Sequence, residues 1–302
     1  MSEFQPFRGI FVPIATPFNN NGAIDWDALA ANLEFYNQTK LAGIVVLGSN
    51  GEFALLSHQE KVELISFVRR NLVSSKRLIA GTGCESTSET ITLGKEAAVA
   101  GADAALVVTP WYYKGSYNDV VLEKHFIAIA DDSPIPVMLY NMPRNTSLNM
   151  SAGLVAKLAK HDHIIGVKDS SGDIVQITNI INNTADDFSV FAGSGSFLMA
   201  TTLAGGCGGT LAIANIMPDI CVDLFEAAAS GNIALARELQ KLIMAPNNAV
   251  TSGMGIAGLK KALDLIGLKG GDPRSPLQPV SVAQSQDLVK ILKQANVNLI
   301  ET

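Results

Sequence analysis

Short apolar runs recur along the chain, and each is followed by a longer stretch in which apolar residues have helical spacing. The runs are continuous and rich in β-branched residues, which is typical of strands buried on both faces of a parallel sheet. Alternating strands and helices indicate parallel βα units. Eight such runs predict strands at 9–15, 43–48, 78–82, 104–109, 137–141, 164–168, 188–192 and 208–213.

The segments between the strands predict helices. Ser57, Ser86 and Ser116 stand where an N-cap hydroxyl would accept a free backbone N–H group. Eight βα units favour a closed barrel over an open doubly wound sheet, so the predicted fold is α/β, a (β/α)8 TIM barrel. The apolar periodicity places these helices at 25–39, 57–73, 86–100, 116–130, 151–160, 172–184 and 194–204.

Beyond Ile213 the pattern is helical only. A barrel needs one helix after its last strand, so the surplus should pack beside it as an appendage. We therefore predict a catalytic barrel domain over residues 1–230 and a C-terminal helical extension over 231–302. The candidate helices are 219–229, 232–245, 255–267 and 282–294, with breaks at Pro246, Gly253, Gly270–Gly271 and Pro273.

Composition narrows the possible partners and location. The net charge is −6 and no basic block appears, which argues against nucleic acid. Cys84, Cys207 and Cys221 lie far apart and suit buried thiols in a reducing compartment better than disulfides or a metal clamp. The first residues lack signal-peptide features, and no apolar run approaches the roughly 18 residues of a membrane span. The sequence thus predicts a cytoplasmic protein without a membrane partner.

Lys168 is the strongest single candidate for chemistry, because it ends a predicted strand and barrel enzymes hold their active sites at the carboxyl ends of strands. It follows the apolar run Ile164–Val167, where burial would disfavour the ammonium form. A neutral amine can attack a ketone and form an imine that draws electrons from a neighbouring carbon–carbon bond. The alternative is a lysine that pairs with Asp169 or extends to water.

Polar groups at neighbouring strand ends favour the catalytic interpretation. Tyr140 ends strand five, and a phenol can carry the protons that imine formation and bond cleavage require. Ser49 and Asn50 lie in a glycine-bracketed turn that can present donors to a carboxylate. Taken alone, Tyr140 fits a core aromatic residue and the turn fits an ordinary turn.

Two other motifs are weaker candidates. His161 and His163 precede strand six and would face the opposite end of the barrel, so we predict no metal site there. Gly205–Gly209 is similar to a phosphate loop, but it also precedes its strand and lacks the lysine and hydroxyl residue of such a loop. A tight turn is the better interpretation.

With these residues the chain resembles the dihydrodipicolinate synthase / N-acetylneuraminate lyase superfamily of class I aldolases. The resemblance spans about residues 8–280 and implies a homotetramer, a dimer of dimers, that acts on a small-molecule 2-oxo acid with no metal and no cofactor besides the covalent Schiff base. The motifs that carry it are GSNGE (48–52), TPWYY (109–113), YNMPRNT (140–146), GVKDS (166–170) and FAGS (191–194).

The resemblance also implies catalytic roles. Lys168 would form the Schiff base and Tyr140 would shuttle protons. Ser49 would join that proton relay and help to bind the pyruvate carboxylate. Tyr112 matches the tyrosine that a neighbouring subunit lends to the relay.

Further residues would bind substrate. By the same resemblance, Asn50 holds the pyruvate carboxylate, Ser170 and Gly193 line the distal part of the site, and Thr210 supplies a backbone contact with pyruvate. Asn145 takes the place of an arginine that grips the second substrate's carboxylate in dihydrodipicolinate synthases, while the adjacent Arg144 is expected to point elsewhere.

These departures, with Ser49–Asn50 in place of the Thr-Thr of dihydrodipicolinate synthases, bear on the substrate. The motifs GSNGEF and GSGSFLMA are similar to 4-hydroxy-2-oxoglutarate aldolases and to fungal 2-keto-3-deoxy-L-galactonate aldolases. We therefore predict reversible cleavage of a 4-hydroxy-2-oxo acid, preferably 4-hydroxy-2-oxoglutarate, to pyruvate and an aldehyde. Dihydrodipicolinate synthesis from pyruvate and aspartate semialdehyde, a non-catalytic 2-oxo-acid binding protein and a purely structural oligomer remain alternatives.

Overall fold

Eight parallel strands close into a barrel in the computed structural model, which describes residues 7–300. Each strand pairs with its sequence neighbours, and β1 pairs with β8 to complete the circle. The predicted (β/α)8 fold is therefore confirmed. The strands are β1 Gly9–Pro13, β2 Gly43–Val46, β3 Arg77–Gly81, β4 Ala104–Val108, β5 Val137–Asn141, β6 Ile164–Asp169, β7 Ser189–Ala192 and β8 Gly208–Thr210.

Helices surround the barrel and continue beyond its last strand. None of the helices within residues 7–300 is both long and apolar enough to cross a membrane. The helices are α1 Trp26–Asn37, α2 His58–Asn71, α3 Thr87–Val99, α4 Asp119–Asp132, α5 Pro143–Thr146, α6 Ala152–Leu158, α7 Ile174–Asn182, α8 Leu198–Leu203, α9 Pro218–Ala229, α10 Ile233–Asn248, α11 Gly255–Leu265 and α12 Val282–Gln294.

The barrel interior is filled by side chains rather than open. The rings of Phe11 and Phe191 lie 5.5 Å apart inside it, and Phe7 packs against Phe11. These rings join inward-facing side chains from β2 to β6 in one apolar cluster. The outward faces of the strands pack against the surrounding helices, which explains why the strand sequences are apolar throughout.

Two of the three predicted N-caps are confirmed. Ser57 accepts a hydrogen bond from the backbone N–H of Glu60 in a complete capping box. Ser86 accepts the backbone N–H of Glu89 at the start of α3. The prediction that Ser116 caps a helix was wrong, because residues 114–116 form a separate 3₁₀ turn. Asn118 accepts the N–H of Val121 and starts α4 instead.

The helical C-terminal part departs from the predicted breaks. Pro246 does not end its helix, since α10 continues through it to Asn248. Proline removes one hydrogen bond of the helical ladder without stopping the chain from turning, and a π-helical turn over Ala249–Gly253 follows directly. This turn leads into α11, and α10 packs against α9 and α12. The domain boundary at residue 230 stays a prediction.

The predicted eighth strand is too long. β8 ends at Thr210, and residues 212–215 form a 3₁₀ turn. Apolar residues continue through Ile213, so periodicity alone does not mark this change.

The thiols of Cys84 and Cys207 form no disulfide, and burial raises the pKa of both to about 11, which keeps them protonated.

Candidate active site

A cavity of about 420 Å³ opens at the carboxyl ends of the strands. The loops after β2, β5, β6, β7 and β8 line it, and residues 250–256 of the C-terminal part form a further wall. All but one of the predicted site residues line this cavity, and Tyr112 is the exception. Those that line it are Ser49, Asn50, Tyr140, Asn145, Lys168, Ser170, Gly193 and Thr210.

Lys168 and Tyr140 are neighbours across the β5–β6 pair. The parallel register places them side by side, and the Nζ of Lys168 lies 4.0 Å from the centroid of the Tyr140 ring. Both residues are buried, with 3% and 5% of their surface exposed. The amine and the phenol therefore share one nearly enclosed position at the base of the cavity.

Asp169 does not neutralise this lysine. Successive side chains on a strand point to opposite faces, so Asp169 faces outward where Lys168 faces inward. Its carboxylate accepts hydrogen bonds from Asn141 Nδ2 at 2.8 Å, Ser171 N at 2.8 Å and Gln176 Nε2 at 3.1 Å. Within residues 7–300, no carboxylate oxygen lies within 4 Å of the Lys168 amine. The alternative in which Lys168 pairs with Asp169 is therefore wrong.

The surroundings of Tyr140 lower the pKa of its phenol. Burial raises its pKa, but the positive charge of Lys168 and polar contacts from Ser49, Lys168 and Ser170 oppose this effect. Their sum outweighs burial, and the net shift of the Tyr140 pKa is downward. A phenol shifted in this direction gives up its proton more readily than a free tyrosine, as a proton carrier must.

The turn that carries Ser49 and Asn50 has a defined backbone. It is bounded by Leu47 and Glu52, both in the left-handed region with φ of 59° and 57°. Thr16 Oγ1 donates to the Gly51 carbonyl at 2.8 Å and ties the turn to the loop after β1. Residues 49–51 form a 3₁₀ turn, and the side chains of Ser49 and Asn50 face the cavity.

A buried ion pair joins this turn to the C-terminal part of the chain. The Oε1 of Glu52 lies 2.7 Å from the Nζ of Lys260. Lys260 also donates to the Asp272 carbonyl at 2.9 Å, while the other Glu52 oxygen accepts the Arg274 N–H at 2.8 Å. Two segments of the C-terminal part of the chain thus hold the residue that follows the Ser49–Gly51 turn.

Ser170 and Gly193 meet closely at the ends of β6 and β7. A Cβ atom at Gly193 would lie 1.9 Å from Ser170 Oγ and 2.7 Å from the Asp169 carbonyl oxygen, so only glycine fits here. The hydroxyl of Thr210 is buried and makes no hydrogen bond within residues 7–300, whereas the hydroxyl of Ser170 lies close to the Tyr140 phenol. Both residues line the cavity, although their hydroxyl oxygens are themselves covered by surrounding atoms.

Tyr112 lies on the loop after β4, outside the cavity of its own chain. Its side chain is 73% exposed, and its ring packs edge-on against Tyr113 with centroids 5.0 Å apart. The Glu85 carboxylate accepts the backbone N–H groups of Trp111 and Tyr112, at 2.9 and 3.0 Å, and fixes this loop. The role assigned to Tyr112 in a neighbouring subunit's site stays a prediction.

The expectation that Arg144 points away from the site was wrong. Arg144 and Asn145 both line the cavity, and Arg144 Nη2 donates to the Ser252 carbonyl at 3.4 Å. The physical reason is that residues 143–146 form the short helix α5. Successive helical side chains diverge by about 100° instead of pointing to opposite faces as they would on a strand.

Sequence reasoning missed several residues that line the cavity. Ser194 and Ser196 line it from the turn after β7, and the GSGS motif was a usable signal for them. Thr251 and Ser252 come from the π-helical turn, whose position near the barrel mouth has no signal in local periodicity. Across residues 7–300, no group of three or more His, Cys, Asp or Glu side chains is placed to hold a metal ion.

The fold and the placement of Lys168 beside Tyr140 agree with comparisons to known proteins. The family model described as the dihydrodipicolinate synthetase family matches residues 6–295. The chain belongs to this family. It is accordingly a lyase of the class I, pyruvate-dependent aldolase type.

Relatives with two different names match almost the whole chain. The 4-hydroxy-tetrahydrodipicolinate synthase of Archaeoglobus fulgidus is 35% identical over 95% of this chain and 98% of its own. A probable mitochondrial 4-hydroxy-2-oxoglutarate aldolase of Emericella nidulans is 36% identical over 97% of this chain and 95% of its own. A dihydrodipicolinate synthase from Acinetobacter baumannii, solved in complex with pyruvate, superposes with a TM-score of 0.92 at 31% identity, covering 96% and 99% of the two chains.

Proposed function

We propose that the protein reversibly cleaves a 4-hydroxy-2-oxo acid to pyruvate and an aldehyde through a Schiff base on Lys168, with 4-hydroxy-2-oxoglutarate as the preferred substrate and glyoxylate as the aldehyde. The single observation that carries this proposal is the buried, carboxylate-free amine of Lys168 beside the Tyr140 phenol in an open cavity. A related protein that was crystallised with pyruvate adds support.

In the proposed reaction, Tyr140 takes a proton from the Lys168 ammonium, and the amine then attacks C2 of the substrate and forms a carbinolamine. Tyr140 supplies the proton with which the C2 hydroxyl leaves as water, and a protonated imine results. The resulting phenolate then takes the proton of the C4 hydroxyl as the C3–C4 bond breaks. The bonding electrons move to the imine, the aldehyde departs, and an enamine remains.

The second half returns the lysine. C3 of the enamine takes up a proton, and water adds to C2 of the imine and displaces the amine, which releases pyruvate. In this proposal, Ser49 relays protons to Tyr140, and Ser49, Asn50 and Thr210 hold the C1 carboxylate so that C2 stays within reach of the amine. The position of all three residues in the cavity lining and the defined backbone of the Ser49 turn support these assignments.

Covalent trapping tests the proposal. The protein is incubated with pyruvate, reduced with borohydride and mapped by peptide mass spectrometry; we expect a reduced adduct on Lys168 and none on Lys76. Lys76 is an internal control, since its amine is also buried but donates to the carbonyls of Thr39 and Leu41. The Lys168→Met variant should not be trapped. An unmodified Lys168 would refute the Schiff-base mechanism and leave a non-catalytic binding protein as the better account.

A second candidate function has specific support. Dihydrodipicolinate-type condensation of pyruvate with aspartate semialdehyde is favoured by the names of several relatives, including the Archaeoglobus fulgidus synthase. Ser49–Asn50 in place of the Thr-Thr of such synthases weighs against it. A panel of 4-hydroxy-2-oxoglutarate, 2-keto-3-deoxy-L-galactonate and the synthase substrate pair, scored by pyruvate release or consumption, separates the three activities.

We extend the proposal to a homotetramer in which Tyr112 completes the site of a neighbouring subunit. The exposure of this tyrosine and the fixed backbone of its loop support that arrangement. No cofactor besides the covalent Schiff base enters the proposed reaction.

A further inference from the structure

The charged groups that line the cavity are all positive. They are Lys168 at its base and Arg144 on α5, and the lining contains no aspartate or glutamate. Arg144 makes one long hydrogen bond, to the Ser252 carbonyl at 3.4 Å. No carboxylate of residues 7–300 pairs with its guanidinium. Most of its five N–H donors are thus free to bind an anion from the cavity.

Two serine hydroxyls that line the same cavity are oriented as donors. Asn247 is completely buried, and its Nδ2 donates to Ser194 Oγ at 3.1 Å and to Ser196 Oγ at 2.8 Å. An amide nitrogen only donates, so both serine oxygens accept from it and keep their own protons for another acceptor. Ser194 Oγ also accepts a hydrogen bond from the Ser196 backbone N–H. The hydroxyl proton of Ser194 therefore has fewer directions in which it can point.

The turn that presents these serines is fixed from behind. Gln240 Nε2 on α10 donates to the Gly195 carbonyl at 2.8 Å, and its Oε1 accepts the Met199 N–H at 3.1 Å. Residues 194–196 are therefore held between two side chains of α10, Gln240 and Asn247. Their donors are set in place before any ligand binds, which lowers the entropic cost of binding.

We propose that Arg144, Ser194 and Ser196 form a subsite for a second carboxylate, so that the site selects dicarboxylic 4-hydroxy-2-oxo acids whose aldehyde product also carries a carboxylate. This inference rests on the proposed function, in which the first carboxylate lies at Ser49, Asn50 and Thr210. A polyol chain both donates and accepts hydrogen bonds, whereas a carboxylate only accepts them. A wall of donors with a guanidinium matches the carboxylate.

The test compares two 2-oxo acids that differ only at the far end. 2-Oxoglutarate and 2-oxopentanoate have the same five-carbon chain, but the second ends in a methyl group. Each is titrated for its ability to protect Lys168 from trapping by pyruvate and borohydride. We expect the wild-type protein to bind 2-oxoglutarate about 10- to 100-fold more tightly, and Arg144→Gln to abolish that preference.

The readout is the ratio of the two affinities within each protein, so a general change in Lys168 reactivity cancels. Arg237→Gln is the matched control, because Arg237 is an exposed arginine on α10 that does not line the cavity, and it should keep the wild-type ratio. Asn247→Asp is a second variant. Its carboxylate would accept the serine protons and repel an anion, so the preference should fall here too.

The outcomes separate the two proposals. If wild-type protein shows no preference, or if Arg144→Gln keeps it, the carboxylate subsite is refuted while trapping of Lys168 still supports the Schiff base. If pyruvate does not trap Lys168, the proposed mechanism fails. The subsite is then judged by calorimetric binding of the same two acids, with the same ratio expected.

Discussion

The Nζ of Lys260 and the Oε1 of Glu52 lie 2.7 Å apart, and their side chains are 1% and 0% exposed. Burial lowers the pKa of Lys260 more than the nearby carboxylate raises it. The pair joins α11 to the turn that holds Ser49 and Asn50. Because these two charges are removed from water together, each depends on the other.

Lys260→Met should therefore be strongly destabilising. It leaves the Glu52 charge buried without its partner, and we expect a loss of about 3–5 kcal/mol in the free energy of unfolding, measured by urea titration. The matched control is Lys290→Met, which removes an exposed pair with Asp287 and should cost less than about 1 kcal/mol. The double variant Glu52→Gln/Lys260→Met should recover part of the loss. Equal effects of the two single variants would contradict this account.

Tyr140→Phe should slow turnover without removing the nucleophile. The variant loses the phenolic proton carrier, and we expect kcat to fall by about 10²- to 10⁴-fold in a pyruvate-release assay. Tyr113→Phe is the control, because Tyr113 is an exposed tyrosine that does not line the cavity. A kcat for Tyr140→Phe within a few-fold of wild type would show that another group moves the proton.

Mixing two inactive variants should restore activity if Tyr112 serves a neighbouring subunit. Tyr112→Phe subunits keep Lys168, and Lys168→Met subunits keep Tyr112. In a mixed dimer of reciprocal sites, one of the two sites is complete, so co-refolded equal amounts should regain roughly a quarter of wild-type activity. Absence of any recovery, with mixed oligomers verified by mass, would place Tyr112 outside the catalytic relay.

His125 should make stability depend on pH. Burial lowers the pKa of this histidine from 6.5 to about 4, and its Nδ1 lies 2.9 Å from Thr87 Oγ1. Between those pH values the unfolded chain binds a proton that the folded protein does not. Stability contributed by neutral His125 is thus complete above about pH 6.5 and is lost as the pH falls towards about 4.

The measurement is the difference in unfolding free energy between wild type and His125→Gln at pH 7 and at pH 4. We expect the wild type to lose up to about 3 kcal/mol more than the variant over this range. Groups that titrate in both proteins cancel in the difference. Parallel pH profiles would mean that His125 becomes protonated in the folded state near its ordinary pKa.

The strands and the Lys168–Tyr140 pair were predictable because both follow from local rules. An apolar run predicts a buried strand, and parallel pairing brings the ends of neighbouring strands to one edge, as the Tyr140–Lys168 register shows. Caps followed the same logic at Ser57 and Ser86. The rule fails at Ser116 because Asn118, two residues on, offers an equally good acceptor closer to the helical segment.

The rest of the site depends on contacts between distant parts of the chain. Asn247 orients Ser194 and Ser196 from a helix that begins well after the last strand, and local periodicity does not indicate where that helix packs. Arg144 was misjudged because residues 143–146 form a four-residue helix, which turns both Arg144 and Asn145 towards the cavity. Such short helices have too few residues for a periodic pattern to reveal them.

The cavity wall over residues 250–256 and the reactive pair Lys168 and Tyr140 lie in different parts of the chain. The reactive amine and its phenol stand on strands whose side chains are fixed by the barrel interior, where most replacements would disturb packing. The wall stands on the helical C-terminal part, whose α10 also fixes Ser194 and Ser196. Substitutions in α10 or in this wall would therefore change how the far end of the substrate is held, while Lys168 and Tyr140 keep their positions on the barrel strands.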